Sequence, residues 1–261
     1  MQNHEIDYTI SGEEMQCVEI ELDPQETVIA EPGSFMMMED GIKMETVFGD
    51  SNSKGFLGKL ISGGKRLLTG ENLFVTQYTN VANGKKHVSF ASPYPGKIIP
   101  MNLMHLNGKI ICQKDSFLCA AKGVSIGIDF QKKLGTGLFG GEGFIMQKLE
   151  GDGMAFVHAG GNIVEKVLAP GEVLKVDTGC IVAFTSEIHY DVQFIGGIKN
   201  SLFGGEGLFY ATLQGPGKVW IQSLPISRLA GRILAYGTAG GRKEEGSILG
   251  GLGNLLDGDS Y

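Results

Sequence analysis

Hydrophobic residues recur at every second position in short stretches of this chain, as with Val28 and Ala30 or Ile181 and Ala183. A spacing of two places successive side chains on opposite faces of a β-sheet. Turn signals, among them Asn-Gly at 83–84, separate these stretches roughly every eight to twelve residues, which is the spacing of β-hairpins. The pattern therefore predicts an all-β fold of antiparallel strands, without βαβ units.

One glycine-rich string occurs twice in the chain. Leu-Phe-Gly-Gly-Glu-Gly occupies residues 138–143 and again 202–207, 64 positions later (202 − 138). A related block at 67–74 keeps the Gly-Glu pair and has apolar residues on both sides of it. Self-similarity of this kind indicates tandem copies of one structural unit. The residues that define the repeat are Gly70, Glu71, Gly141, Glu142, Gly205 and Glu206.

Two further landmarks recur in each copy. The upstream landmark is a Ser-Phe or Cys-Ile pair that follows a short apolar stretch, at 34–35, 116–117 and 180–181. The downstream landmark is a glycine followed two residues later by two apolar residues, at 96–99, 161–164 and 231–234. Each copy thus contains the same parts in the same order.

The offsets between the landmarks give the module boundaries. The second and third copies keep a 64-residue offset both at the upstream landmark and at the Gly-Glu pair, but the first and second differ by 82 at the upstream landmark (116 − 34) and by 71 at the Gly-Glu pair (141 − 70). The first copy therefore carries 11 extra residues (82 − 71). We predict modules at 1–100, with an insertion at 49–69, at 101–164 and at 165–236, followed by a flexible tail at 237–261.

Composition supports this interpretation and narrows the range of partners. The chain has 41 glycines and 20% charged residues, which favours turns and short strands over long surface helices. A net charge of −7 argues against nucleic acid, whose phosphates attract basic surfaces. The four cysteines form no CxxC pair and predict buried free thiols. Without a signal or transit sequence, or an apolar run of about 18 residues, we expect a cytoplasmic protein.

Three features resemble the bacterial relatives of the altered-inheritance-of-mitochondria biogenesis family: the paired Gly-Glu blocks, Ala-Glu-Pro-Gly-Ser-Phe-Met at 30–36, and Gly-Lys-Arg at 64–66. The resemblance covers about residues 5–236. It implies a fold like that of the tryptophan RNA-binding attenuation protein, a compact β-sandwich akin to a short double-stranded β-helix. In this chain the β-sandwich would be repeated three times, with a pseudo-threefold arrangement. Three chains would form a nine-module ring, a homotrimer without established enzymatic activity.

No catalytic, cofactor or metal site is predicted. Residues 135–140 fit GxGxxG, but the third copy lacks the first two glycines, which favours a turn over a dinucleotide site. The histidines form no His-x-His pair and none recurs across the copies, which argues against a metal site. Glu71, Glu142 and Glu206 leave two interpretations open. They could meet as a three-carboxylate site under threefold symmetry, or each could open a turn by accepting backbone N–H bonds.

The insertion of the first copy is the main candidate for a specialised role. Its apolar residues share a helical stripe with basic residues mostly opposite, a pattern typical of peripheral membrane or partner contact. Its four glycines, each of which costs a helix about 1 kcal/mol, favour instead a loop that covers the core. The candidate contact residues are Phe56, Leu57, Lys59, Leu60, Lys65 and Arg66. The tail is either disordered or docks on a neighbouring chain.

The leading functional hypothesis is a non-enzymatic oligomeric scaffold or interaction protein with an unknown protein partner. One form of this hypothesis places the scaffold near a membrane. It rests on a repeated architecture that carries no repeated chemical group. The alternative is a ring that binds a small molecule or RNA between its modules. A third hypothesis is a hydrolase or metal enzyme.

Overall fold

The computed structural model describes residues 3–48, 74–132, 144–194 and 209–238. Residues up to Ser227 form one compact unit, and the described part of the second unit, from Arg228 onward, lies in a helix, α1 (Ile226–Thr238). Short 3-10 helices occur at Leu103–Leu106, Lys114–Ser116 and Thr178–Cys180.

The strands in chain order are β1 (Asp7–Ser11), β2 (Cys17–Leu22), β3 (Thr27–Ala30), β4 (Phe35–Met38), β5 (Ile42–Phe48), β6 (Phe74–Asn80), β7 (Lys86–Ala91), β8 (Gly96–Asn102), β9 (Lys109–Gln113), β10 (Phe117–Ala121), β11 (Ser125–Lys132), β12 (Phe144–Glu150), β13 (Met154–Gly160), β14 (Ile163–Leu168), β15 (Val173–Asp177), β16 (Ile181–Thr185), β17 (His189–Phe194), β18 (Phe209–Gln214) and β19 (Gly217–Gln222).

The strands form four sheets in which every pair of named strands is antiparallel, as the sequence predicts. Sheet I has the order β1-β2-β7-β4, and sheet IV has the order β15-β18-β17. The other two sheets have six strands each. Sheet II has the order β5-β6-β3-β10-β13-β8, and sheet III has the order β11-β12-β9-β16-β19-β14. The strand order of sheet III repeats that of sheet II with each strand replaced by its counterpart six strands later.

Three hydrophobic cores separate the sheets. Core 1 joins sheets I and II and contains Phe90 and Phe156. Core 2 joins sheets II and III and contains Phe117 and Trp220. Core 3 joins sheets III and IV and contains Phe184. The compact unit is therefore a stack of four sheets, with sheets II and III inside and sheets I and IV outside.

The central strands of the inner sheets are buried on both faces. Every residue of β3, β10 and β16 is buried, so both faces of these strands are covered. Ile29 enters core 2, whereas its neighbours Val28 and Ala30 enter core 1. An inner sheet has a core on each face, so side chains at successive positions of its strands enter different cores. Strand β2 in outer sheet I keeps the expected alternation.

The short glycine turns join different sheets, which corrects the prediction of hairpins at these positions. The turn at 83–84 leads from β6 in sheet II to β7 in sheet I, and the turn at 151–153 leads from β12 in sheet III to β13 in sheet II. The consecutive strands that do pair include β5 with β6, β11 with β12, and β17 with β18. A turn signal specifies a chain reversal, but it does not specify which sheet receives the next strand.

The third downstream landmark is not a strand. The first two landmarks fall on β8 and β14, but residues 231–234 lie inside α1. Helix α1 ends at Thr238, and the rest of the tail predicted at 237–261 lies outside the described residues. Ile226, Leu229 and Ile233 follow the three- and four-residue spacing of an amphipathic helix, and this local pattern prevails over the analogy with the other copies.

Candidate self-association surface

The candidate residues from the sequence lie outside the described parts of the chain. This applies to the Gly-Glu pairs at 70–71, 141–142 and 205–206 and to the insertion residues between 56 and 66. They remain predictions. The described residues point instead to a surface that sequence reasoning missed, the open edge of sheet I.

Strand β4 forms that edge and is exposed along its whole length. Its residues Phe35, Met36, Met37 and Met38 are 39% to 52% exposed. Among the described strands it pairs only with β7. An exposed apolar edge strand presents unpaired backbone groups together with hydrophobic side chains, and it is a template for pairing with another strand.

The counterparts of β4 are interior strands. In β4, β10 and β16 the same β-bulge follows the first residue, between Phe35 and Met37, Phe117 and Cys119, and Ile181 and Ala183 respectively. Strands β10 and β16 each have neighbours on both sides and are completely buried. We define the β4 surface as Phe35–Met38. It belongs to an edge strand whose counterparts in the other two copies are interior strands.

Local contacts hold β4 in place despite its exposure. The ring of Phe35 stacks on Tyr78 of core 1, with ring centroids 5.5 Å apart. The turn before the strand is closed by Ser34, whose Oγ donates a 2.7 Å hydrogen bond to the carbonyl oxygen of Glu31. At the far end Glu39 accepts a 3.0 Å hydrogen bond from the backbone N–H of His87, which lowers the pKa of the Glu39 carboxyl. The surface is therefore preformed.

Strand β15 forms a second open edge, at sheet IV. Among the described strands it pairs only with β18, whereas its counterparts β3 and β9 pair on their other sides with β10 and β16. Val173 is 52% exposed, while Val176 is buried in core 3. Lys175 is exposed, and its Nζ lies 5.2 Å from the centroid of the Tyr210 ring.

Burial shifts the pKa of three titratable groups in the described part of the chain, His158, Cys112 and Cys119. Burial lowers the pKa of His158 to about 4, and a backbone hydrogen bond with Asp115 opposes this shift. Burial, with a smaller contribution from Glu31, raises the pKa of the Cys112 thiol to about 12. Burial also raises the pKa of the Cys119 thiol. The His158 imidazole is therefore uncharged at neutral pH, and the Cys112 and Cys119 thiols, buried in cores 2 and 1, stay protonated and are poor nucleophiles.

All four cysteines are free, as predicted, and Cys112, Cys119 and Cys180 are buried; Cys17 is half-buried. Within residues 3–48, 74–132, 144–194 and 209–238, no group of three or more His, Cys, Asp or Glu side chains could hold a metal ion. None of the helices in those ranges has the length and apolar character needed to span a bilayer.

A small cavity lies among residues of all three predicted copies. It is lined by residues that include Tyr94, Gln113, Asp115 and Gln222. Its volume of about 10 Å³ is room for about one water molecule. This cavity is too small for the ligand of the binding hypothesis.

Comparisons with known proteins agree with the resemblance of the sequence. A family model described as mitochondrial biogenesis AIM24 matches residues 8–224. An uncharacterised protein of Streptococcus pyogenes serotype M6 is 30% identical over 223 residues, which cover 84% of this chain and 86% of that protein. A crystal structure of a protein from Streptococcus pyogenes is similar with a TM-score of 0.69 and 26% identity, and the match covers 88% of this chain and 99% of that one. The chain belongs to the mitochondrial biogenesis AIM24 family.

Proposed function

We propose that the protein is a non-enzymatic oligomeric scaffold that associates with copies of itself through the β4 surface. The observation that carries this proposal is the exposure of Phe35–Met38 in a strand whose counterparts β10 and β16 are fully buried. Apolar side chains and unpaired backbone groups at one edge favour association. A second copy of the chain offers strands of the matching type.

The oligomer that we propose is a homotrimeric ring of nine modules, three in each chain with a pseudo-threefold arrangement. The shared strand order of sheets II and III supports a repeated module. Open edges at both outer sheets favour head-to-tail contacts, in which each chain uses two different surfaces. Heterologous contacts of this kind close into a ring when the rotation between subunits permits it.

A scaffold role agrees with the chemistry of the described residues. The buried His158, Cys112 and Cys119 lie in hydrophobic surroundings that hold them in uncharged forms. The exposed ionic groups form surface pairs, such as Lys218 with Glu165 at 2.6 Å, on the outside of the sheets. The described part of the chain does present an apolar strand edge to its surroundings.

The mass of the protein in solution tests the proposal, measured by light scattering at micromolar concentration. We expect three times the chain mass of 27.9 kDa for the wild type. Met37→Lys places a charge on the β4 surface and should reduce the mass to that of one chain. Met104→Lys is the matched control, because Met104 is 65% exposed but lies on a 3-10 helix away from β4. A wild type with the mass of one chain would refute the scaffold, and equal masses for the two variants would refute the surface.

A further inference from the structure

The β4 edge of sheet I and the β15 edge of sheet IV are complementary to each other. Each inner sheet is composite: β5-β6-β3 of sheet II is completed by β10-β13-β8, and β11-β12-β9 of sheet III is completed by β16-β19-β14. The strand orders of the two outer sheets correspond to the two halves of such a sheet. Sheet IV ends in β15, the counterpart of β3 and β9, and sheet I ends in β4, the counterpart of β10 and β16.

We propose that β15 of one copy pairs antiparallel with β4 of the next copy, so that sheets IV and I join into one composite sheet. This inference rests on the proposed self-association and names the partner of the β4 surface. The joined sheet has the order β17-β18-β15-β4-β7-β2-β1. Its first six strands repeat the order of the inner sheets, with β2 in the place of β8 and β14, and β1 is an additional strand beyond β2.

The inner sheets fix the register of this pairing. Ile29 lies opposite Ala120 where β3 meets β10, and Ile111 lies opposite Phe184 where β9 meets β16. These positions differ by 82 (111 − 29) and 64 (184 − 120), the offsets that relate the copies in the sequence. Applying them once more, 111 + 64 gives Lys175 and 120 − 82 gives Met38.

The shared β-bulge supports this assignment, because it marks equivalent positions without reference to the sequence offsets. It follows the first residue of β4 as it follows the first residue of β10 and β16. Strand β15 is fixed in the same way by its other neighbour. Val173 lies opposite Gln214, as Lys109 lies opposite Glu150 one copy earlier, and both steps are 64 residues (173 − 109 and 214 − 150).

The same counterparts show which core the exposed methionines would enter. Leu118 and Cys119 of β10 lie in core 1, and Val182 and Ala183 of β16 lie in core 2. In both cases the core is the one formed by the preceding copy. Their counterparts on β4 are Met36 and Met37, which then pack against core 3 of the neighbouring copy. Methionine suits this role because its flexible side chain fills irregular gaps.

Lys175 is the one charged residue among the three β15 positions that the register pairs, 174 to 176. It stands at the position of Ile29 and Ile111, which are buried in cores 2 and 3. A lysine on an edge strand weakens indiscriminate pairing with other strands. In the joined sheet its aliphatic stem covers apolar surface, and its ammonium group remains at the rim beside Tyr210. The lysine therefore limits the strength of the contact.

Engineered disulfides test the pairing in the full-length protein, in a Cys17→Ser background that removes the half-buried native thiol. Lys175→Cys combined with Met38→Cys joins the positions that the register places opposite each other. Opposed residues in antiparallel strands have Cα separations of about 4.5 to 5.5 Å, which a disulfide can bridge. Val173→Cys combined with Met38→Cys is the control, because Val173 is also exposed and lies two residues out of register.

After mild oxidation, non-reducing electrophoresis of the in-register variant should show loss of the one-chain band and a covalent trimer. The control should keep the one-chain band. Equal cross-linking of both variants, or a disulfide that closes within one chain, overturns the proposed register or partner. A protein with trimer mass that does not cross-link overturns the pairing and leaves self-association standing. A protein with the mass of one chain overturns both.

Discussion

Phe35 lies almost parallel to Tyr78, with ring centroids 5.5 Å apart and ring planes inclined by 14°. Tyr78 in turn meets Phe90 edge-on within core 1, at 5.1 Å. Phe35 is nevertheless 41% exposed, whereas its counterpart Phe117 is 2% exposed. The stack anchors β4 to its own core and leaves the other side of the strand without cover.

Removing the anchoring ring should destabilise the chain moderately. Phe35→Ala deletes a stacked but half-exposed side chain, so we expect the free energy of unfolding to fall by about 1 to 2 kcal/mol. Urea denaturation of protein diluted to favour single chains measures this change. Met104→Ala, at an exposed site outside the strands, should stay within about 0.5 kcal/mol of the wild type. Equal losses for the two variants would contradict the anchoring role.

Replacing the charged residue of β15 should strengthen self-association. Lys175→Ile restores the residue type found at Ile29 and Ile111, which lie in cores. We expect a lower dissociation constant by sedimentation equilibrium, because the ammonium group no longer requires solvent at the strand edge. Lys166→Ile on β14 changes the same charge in an exposed position of sheet III and is the control. A dissociation constant that rises for Lys175→Ile would argue against β15 as the partner strand.

The buried imidazole of His158 should make stability depend on pH. Burial lowers its pKa to about 4 in the folded chain, whereas an unfolded histidine has a pKa of about 6.5. Its full contribution is therefore present above pH 6.5 and is lost as the pH falls to about 4, because the unfolded chain binds the proton first. The shift corresponds to about 3 kcal/mol. Denaturation curves between pH 7 and pH 4 measure this loss.

The third copy suggests a substitution for His158 that tests this dependence of stability on pH. Gln222 stands 64 residues after His158 (222 − 158) and satisfies both of its polar groups, since it accepts a hydrogen bond from the N–H of Gly160 and donates one to the carbonyl oxygen of Gly179. His158→Gln should therefore reduce the loss of stability on acidification. His105→Gln, at an exposed position, should lose as much stability as the wild type.

A side chain at Gly96 should be poorly tolerated. A Cβ built there lies 1.8 Å from the carbonyl oxygen of Ala159, because Gly96 faces Gly160 in the β8–β13 pair. Both strands would have to move apart, so we expect Gly96→Ala to cost about 3 kcal/mol of stability. Gly84→Ala is the control, since a Cβ at Gly84 meets no atom within 4 Å. Thermal melts compare the two variants, and equal melting temperatures would contradict this steric account.

The sequence predicted the strand type and its landmarks but not the connections between sheets. Phe35, Phe117 and Ile181, identified from the repeat, each begin a strand. The turn residues, however, specify only a reversal of direction. The amphipathic spacing of Ile226, Leu229 and Ile233 was present in the sequence, and an analogy with β8 and β14 obscured it.

The β4 surface could not be found from composition, because an exposed strand and a buried one look alike in this repeat. Phe-Met-Met-Met of β4 is as apolar as Phe-Leu-Cys-Ala at the start of β10. The difference arises from position in the chain. In β10 and β16 the corresponding residues enter the core formed by the preceding copy, whereas Met36 and Met37 of β4 are exposed, and a pattern read within one copy carries no information about such a neighbour.

The composite inner sheets also bear on how such a chain can arise. Because each inner sheet takes strands from two consecutive copies, a shorter ancestor with one copy could complete its sheets only with strands from other polypeptides. Gene duplication and fusion would then have joined units that already shared their sheets. In that history the covalent links came after the assembly, and the β4 and β15 edges, which we propose to pair between copies, are the junction that remains non-covalent.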